Sequence, residues 1–198
     1  MDKNVLKACK KALFSHKIIC FPTETVMGLG VLYDDFEAYN LLNEVKQRRE
    51  DKPYTLMLGN KEDISKYAIV DNRVKSVIDI FLPGSLTLLL KAKENVPPYV
   101  THNTGVIGVR VPSNKEALEL LKEVEVPPLV PSANKSGEVP ALNDKEAYKI
   151  FKDEVEVIVP GECLSGTPST IIDFTKEKPV LIREGKLSFL EVMKIYER

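Results

Sequence analysis

The chain has 198 residues, 43% of them hydrophobic, with 28 Lys or Arg against 29 Asp or Glu and a formal net charge of −1. That length and apolar content support one buried core, so a single domain over 1–198 is expected, and the near-neutral field excludes strong non-specific attraction to nucleic acid. No apolar run approaches a membrane span and Met1-Asp2-Lys3-Asn4 is not a signal-peptide start, so a soluble, cytoplasmic protein with no membrane partner is expected.

Val5, Leu6, Cys9, Ala12 and Leu13 recur at helical spacing, and Ile18-Ile19-Cys20-Phe21 reads as a buried strand ended by Pro22. Thr23 to Gly30 is predicted as a loop or a strand-loop-strand element, with Gly28 and Gly30 permitting close backbone approach. From about Asp35 a helix carries Phe36, Tyr39, Leu42 and Val45 on one stripe and runs into Lys46-Gln47-Arg48-Arg49. Tyr54 to Leu58 is a predicted strand closed by Gly59-Asn60, and Val74, Val77, Ile78 and Phe81 mark a helix that stops at Pro83-Gly84. Leu86 to Leu90 and Val106 to Val111 read as strands, Ala117 to Leu121 as a helix, and Pro127 to Pro131 as an extended stretch leading to Ser132. A helix near Asp144 to Phe151, strands at Val155 to Val159, Ser169 to Phe174 and Pro179 to Arg183, and a last helix capped by Ser188 complete the chain. The order is neither strictly alternating nor segregated, which predicts an α/β fold with a twisted, open mixed sheet flanked by helices.

Cys9, Cys20 and Cys163 are odd in number and far apart, so they are expected to be reduced and buried, with no structural metal. His16 is expected at a helix C-terminus and His102 in a solvated loop; neither has a nucleophile motif beside it. Gly28-Leu29-Gly30 lacks the rest of a dinucleotide fingerprint, and no Walker sequence occurs.

Two distant segments stand out as candidate anion holders. Lys46 and Arg48 would diverge by about 200° on a regular helix, yet at a helix end they could share a ligand. Taken alone, the segment reads first as a solvated basic terminus complementing its dipole, whose substitution leaves stability nearly unchanged, and second as an anion clamp. Ser132-Ala133-Asn134-Lys135-Ser136-Gly137 follows a strand-like run, where open α/β sheets place ligand loops; an Asx or Ser turn explains it equally well. Arg110 and Arg183 each end an apolar run, which fits either a structural ion pair or an anion clamp.

The ordered set Cys20-Phe21-Pro22-Thr23-Glu24-Thr25-Val26, Lys46-x-Arg48 with Lys52-Pro53, Pro83-Gly84-x-Leu86-Thr87, Gly108-Val109-Arg110-Val111-Pro112, Pro131-Ser132-Ala133-Asn134-x-Ser136-Gly137, Ser169-Thr170-Ile171-Ile172-Asp173 and Arg183-Glu184-Gly185 resembles the YrdC/TsaC family of threonylcarbamoyl-AMP synthases, in its short single-domain form. The resemblance implies a YrdC-like fold around a concave, positively lined cavity. It also implies synthesis of threonylcarbamoyl-AMP and pyrophosphate from L-threonine, bicarbonate or CO2, and ATP with Mg2+, as the first step of N6-threonylcarbamoyladenosine formation in tRNAs that read codons beginning with A. Implied partners are the downstream proteins that transfer the threonylcarbamoyl group, and tRNA itself.

By the same likeness Lys46, Arg48, Ser132 and Asn134 are the catalytic set, and Thr25, Arg110, Ser132 and Ser169 hold L-threonine. Arg48, Lys52, Asn134 and Arg183 hold ATP, with no metal ligand among the site residues. The chain departs from the family pattern at Met27, Met57, Leu82 and Leu142. The alternative function is a non-catalytic module that binds tRNA or double-stranded RNA in the same cavity, disfavoured by the net charge and the lack of an aromatic-basic stripe. A carbamoyl-phosphate-dependent carbamoyltransferase is disfavoured because the chain has neither the length nor the cysteines of the segments that surround such a domain.

Overall fold

The computed structural model describes residues 1–47 and 53–198. In chain order the elements are α1 (Lys3–Leu13), β1 (Ile19–Phe21), β2 (Gly28–Leu32), α2 (Phe36–Lys46), β3 (Thr55–Met57), α3 (Ile64–Tyr67), α4 (Asn72–Phe81), β4 (Leu86–Lys91), β5 (Val106–Arg110), α5 (Lys115–Glu123), β6 (Pro128–Leu129), α6 (Asp144–Phe151), β7 (Val157–Ile158), β8 (Thr170–Asp173), β9 (Val180–Arg183) and α7 (Phe189–Tyr196). The expected helices and strands are present. Short helical turns at Lys61–Asp63, Ile64–Tyr67 and Pro98–Thr101 carry too little periodicity to be read from sequence.

Helix starts follow local chemistry. Asp2, Asp35, Asp71, Asn114 and Asn143 each accept a backbone N–H of the first turn at 2.8–3.0 Å, satisfying donors that a helix leaves unpaired. Ser188 departs from expectation. Its side chain makes no capping bond to α7, and the Phe189 amide donates instead to Glu184 Oε1 at 2.9 Å.

The strands form one mixed sheet in the order β7-β1-β2-β6-β3-β5-β4-β8-β9. Parallel pairs are β1 with β7, β3 with β5 and β4 with β8, and the other neighbours run antiparallel. Strand alternation divides the core between the two faces: in the first strand segment Ile18 and Cys20 pack with one cluster, Ile19 and Phe21 with another. The larger cluster gathers Leu42 of α2, Val77 of α4, Phe151 of α6 and Val192 of α7. The smaller gathers Cys9 and Leu13 of α1 with Ala117, Leu120 and Leu121 of α5. On this second face, Thr55, Met57, Thr87, Arg110 and Ile171, from β3, β4, β5 and β8, line a cavity.

Both histidines lie in turns, His16 just past α1 and His102 in the expected loop, though His102 is less solvated than expected. His16 lies beyond the end of α1 with a positive φ, its Nδ1 2.8 Å from Asp35 Oδ2, and so contacts the residue that caps α2. His102 is half-buried, with Nε2 2.9 Å from the Tyr39 hydroxyl. All three cysteines are reduced. Burial raises the Cys9 thiol pKa from 9.0 to about 11 and pushes Cys20 up as well.

A thiol is neutral when protonated, so the unfolded chain loses these protons first as pH rises past its ordinary value. Stability is therefore expected to fall between pH 9 and 11, by up to about 1.4 kcal/mol per pH unit for each thiol. Urea unfolding at pH 8 and pH 10.5 checks this: the loss should shrink in a Cys9→Ala/Cys20→Ala variant, and an equal loss in both proteins would show that other groups carry it.

Candidate active site

The cavity has a volume of about 820 Å³ and is lined by Thr25, Lys46, Arg110, Ser132, Asn134, Ser169 and Arg183, among others. Seven of the nine site residues expected from the sequence are thus brought to one wall system from segments far apart in the chain. Arg48 and Lys52 lie outside the described residues.

Two guanidinium groups line it. Arg110 closes β5 and is 6% exposed; its Nη2 donates to Glu24 Oε1 at 2.6 Å and to Thr25 Oγ1 at 3.0 Å, while Nε donates to Gly84 O at 3.3 Å. Its Nη1 has no hydrogen-bond partner among the described residues. The ion-pair reading of Arg110 is met along one edge of the fork, through Nε and Nη2.

Arg183 divides its donors in the same way. Nε and Nη2 donate to Ser169 O at 3.0 and 2.9 Å, and Nη2 reaches Ser169 Oγ at 3.3 Å. Ser169 Oγ lies 2.9 Å from Thr87 Oγ1, so two buried hydroxyls stand beside two cations. Partial burial, then the like charge of Arg110, lower the Arg183 pKa from its ordinary value. Two cations held this close favour an anion near both.

A β-bulge aims Arg183. Ile171 pairs with Arg183 but the next residue, Ile172, pairs with Leu181, so β9 carries Ile182 as an extra residue. Strict alternation from Leu181, which packs against the larger core cluster, would put Arg183 on the core side. The bulge returns it to the face of Ile171 and the cavity.

Lys46, which also lines the cavity, overturns the expectation of a solvated helix terminus. It is the last residue of α2 and only 2% exposed. Its Nζ donates to Ser132 O at 2.6 Å, Asn134 O at 2.8 Å and Asn134 Oδ1 at 3.2 Å. Ser136 N donates back to Lys46 O at 2.9 Å, and Lys135 Nζ to Val45 O at 2.7 Å. Residues 132–136 therefore wrap the C-terminal end of α2, satisfying carbonyls that a helix end leaves exposed.

Sequence reasoning did not single out Glu24, Thr87 or Met57 as site residues. Glu24 is 9% exposed, and its Oε2 is the one buried side-chain polar atom among the described residues without a hydrogen-bond partner. An acid between Thr23 and Thr25 in an otherwise apolar stretch, and a threonine in the run Leu86 to Leu90, were the available signals. Of the departures from the family pattern, Met57 lines the cavity, whereas Met27 and Leu82 are buried in the larger core cluster and Leu142 packs near Gly166. Among the described residues no group of three or more His, Cys, Asp or Glu could hold a metal ion, and no helix is long and apolar enough to cross a membrane.

A family model named for Sua5, YciO and YrdC, and described as telomere recombination, matches residues 11–185. The chain belongs to the Sua5/YciO/YrdC family. A protein of Methanocaldococcus jannaschii is 35% identical over 185 residues, covering 92% of this chain and 86% of that one. The threonylcarbamoyl-AMP synthase of Pyrococcus abyssi is 35% identical over 181 residues, covering 90% of this chain and 53% of that protein. The crystal structure of P. abyssi Sua5 complexed with L-threonine superposes with a TM-score of 0.92 at 33% identity, over 96% of this chain and 56% of that one. Escherichia coli YciO superposes with a TM-score of 0.88 at 28% identity, over 94% of this chain and 92% of that one. The family fold is therefore the α/β mixed sheet described above, and this chain spans about half the length of the P. abyssi protein.

Proposed function

We propose that this chain makes threonylcarbamoyl-AMP from L-threonine, bicarbonate or CO2, and ATP, releasing pyrophosphate. This is the first step of N6-threonylcarbamoyladenosine formation in tRNAs that read codons beginning with A. Residues 1–198 act as a single YrdC-like domain in the cytoplasm, and the product passes to the proteins that transfer its threonylcarbamoyl group to tRNA. The likeness to the P. abyssi synthase and to the threonine-bound Sua5 structure supports the reading. The observation that carries it is the pair Arg110 and Arg183, each tied to the protein along one edge of its fork, beside the hydroxyls of Thr25, Thr87 and Ser169.

The chemistry needs such a site. The neutral amine of threonine attacks CO2, forming a C–N bond and losing a proton to leave a carbamate. A carbamate oxygen then attacks the α-phosphorus of ATP, and the bond to the β-phosphate oxygen breaks as pyrophosphate leaves with Mg2+. Negative charge accumulates throughout, so fixed cations and donors act on the transition state. Arg110 takes the threonine carboxylate, with Thr25 and Ser169 about it. Arg48, Lys52, Asn134 and Arg183 serve the nucleotide, and Lys46, Arg48, Ser132 and Asn134 surround the reacting centre.

Pyrophosphate release with each substrate omitted in turn tests this. Release that requires L-threonine, bicarbonate and Mg-ATP together is expected. Absence of threonine-dependent release, together with tight, salt-sensitive binding of tRNA, would replace the synthase with the RNA-binding module.

A further inference from the structure

Helix α1 carries a row of lysines whose charges work against the helix itself. Lys3, Lys7, Lys10 and Lys11, with Leu6 and Phe14, fall within an arc of about 140° on a helix of 3.6 residues per turn. Together these six side chains line an open groove of about 440 Å³, while Cys9, Ala12 and Leu13 of the same helix are buried. Lys3, Lys7 and Lys11 follow one another at i, i+4, a like-charge spacing that disfavours a helix. Lys3 also stands in the first turn, where the dipole favours an acid and α1 has none.

The fold supplies little to balance this charge. Of the four lysines only Lys10 meets a carboxylate among the described residues, Glu123 Oε2 at 3.7 Å, at the surface. Phe14 is 54% exposed at the end of the row, and Leu6 is only partly buried beside it. A positive row with an apolar edge is thus presented to solvent.

The charge fixes the sign of an occupant, and the apolar pair fixes its kind. Lysines four residues apart are separated by about 6 Å along the axis, which is also the separation of carboxylates at i, i+4 on a second helix. A nucleic-acid backbone would meet the ammonium groups and leave Leu6 and Phe14 without apolar cover. A lipid surface calls for a broad apolar face, and this one offers two apolar side chains among four lysines.

We propose that this face of α1 is a docking surface for an acidic amphipathic helix of another protein. Carboxylates of that helix pair with Lys3, Lys7 and Lys11, and an apolar residue covers Leu6 and Phe14. None of the six residues lines the cavity of Arg110 and Arg183, so the proposal holds whatever reaction that cavity carries out.

The test uses a fluorescent synthetic helix with three glutamates at i, i+4 spacing and leucines beside them, and a control in which glutamine replaces each glutamate. Unfractionated tRNA and vesicles of phosphatidylserine with phosphatidylcholine are the rival probes. Anisotropy titrations should show the glutamate helix binding at least about tenfold more tightly than the control, with the preference shrinking as salt screens the charges. Lys3→Glu/Lys7→Glu/Lys11→Glu should abolish the preference, and Phe14→Ala should weaken the glutamate helix about fivefold. Pyrophosphate release should stay within about twofold of wild type in both variants.

Equal binding of the two helices, or no effect of Phe14→Ala, would overturn the proposal, because the groove would then recognise neither charge nor apolar surface specifically. Tighter binding of tRNA or of vesicles than of the glutamate helix, lost in the triple variant, would assign the face to that partner instead. Self-association seen by sedimentation and lost in the triple variant would make a second copy of the chain the occupant. Should the triple variant fail to fold, Lys7→Gln/Lys11→Gln must still weaken the glutamate helix about fivefold for the proposal to stand.

Discussion

Arg110→Ala is expected to lower threonine-dependent pyrophosphate release by about two to three orders of magnitude and to destabilise the protein by about 3–5 kcal/mol. The two losses have different origins. Arg110 and Glu24 form a buried ion pair at 2.6 Å, with side chains only 7% and 10% exposed. Removing the guanidinium leaves a buried carboxylate whose Oε2 already has no partner. The activity loss comes from the nitrogen that the ion pair does not use. Adding Glu24→Gln to Arg110→Ala removes the unpaired charge and should recover much of the stability without restoring activity. Denaturant unfolding and the pyrophosphate assay on the single and double variants check this. Recovery of both together would mean that Arg110 serves the fold alone.

Gly185→Ala should damage fold and site at once. A Cβ at this position would overlap the carbonyl oxygen of Pro168 and lie 2.7 Å from both Ser169 C and Thr170 N, atoms of the backbone that cannot rotate away. The Gly185 amide also donates to Thr170 Oγ1 at 2.9 Å, so this close approach ties the end of β9 to the start of β8. Relieving the overlap must separate the two segments that carry Arg183 and Ser169. A loss of about 1–3 kcal/mol is expected, with a melting temperature lower by several degrees. Threonine affinity should fall further than global stability alone explains. A variant with wild-type melting and binding would show that the segment yields without cost.

The elements and the site residues were legible to different depths. Helices α1, α2, α4, α5 and α6 were readable because their apolar spacing is local and their starts are marked by Asp or Asn caps. The short turns at 61–67 and 98–101 were not, since one turn of helix leaves no period to detect. Motif order, carried by the family resemblance, named the residues that line the cavity. Their contacts reach across the chain: Ser132 lies 86 residues from the lysine that donates to its carbonyl, and Glu24 the same distance from Arg110.

By itself the sequence determined the α/β class, the strand and helix succession, the lack of a dominant net charge and the set of polar residues to examine, because periodicity, capping and composition are properties of neighbouring residues. Only the tertiary structure decided which cations keep donors for a ligand. A bulge in β9 brought Arg183 to the cavity against strict alternation, and the 132–136 loop buried a lysine that its helix-terminal position would have left in water. The reason is physical: an N–H can serve an anion in solution only to the extent that no carbonyl of the fold has already taken it, and carbonyls from distant segments are arranged by packing.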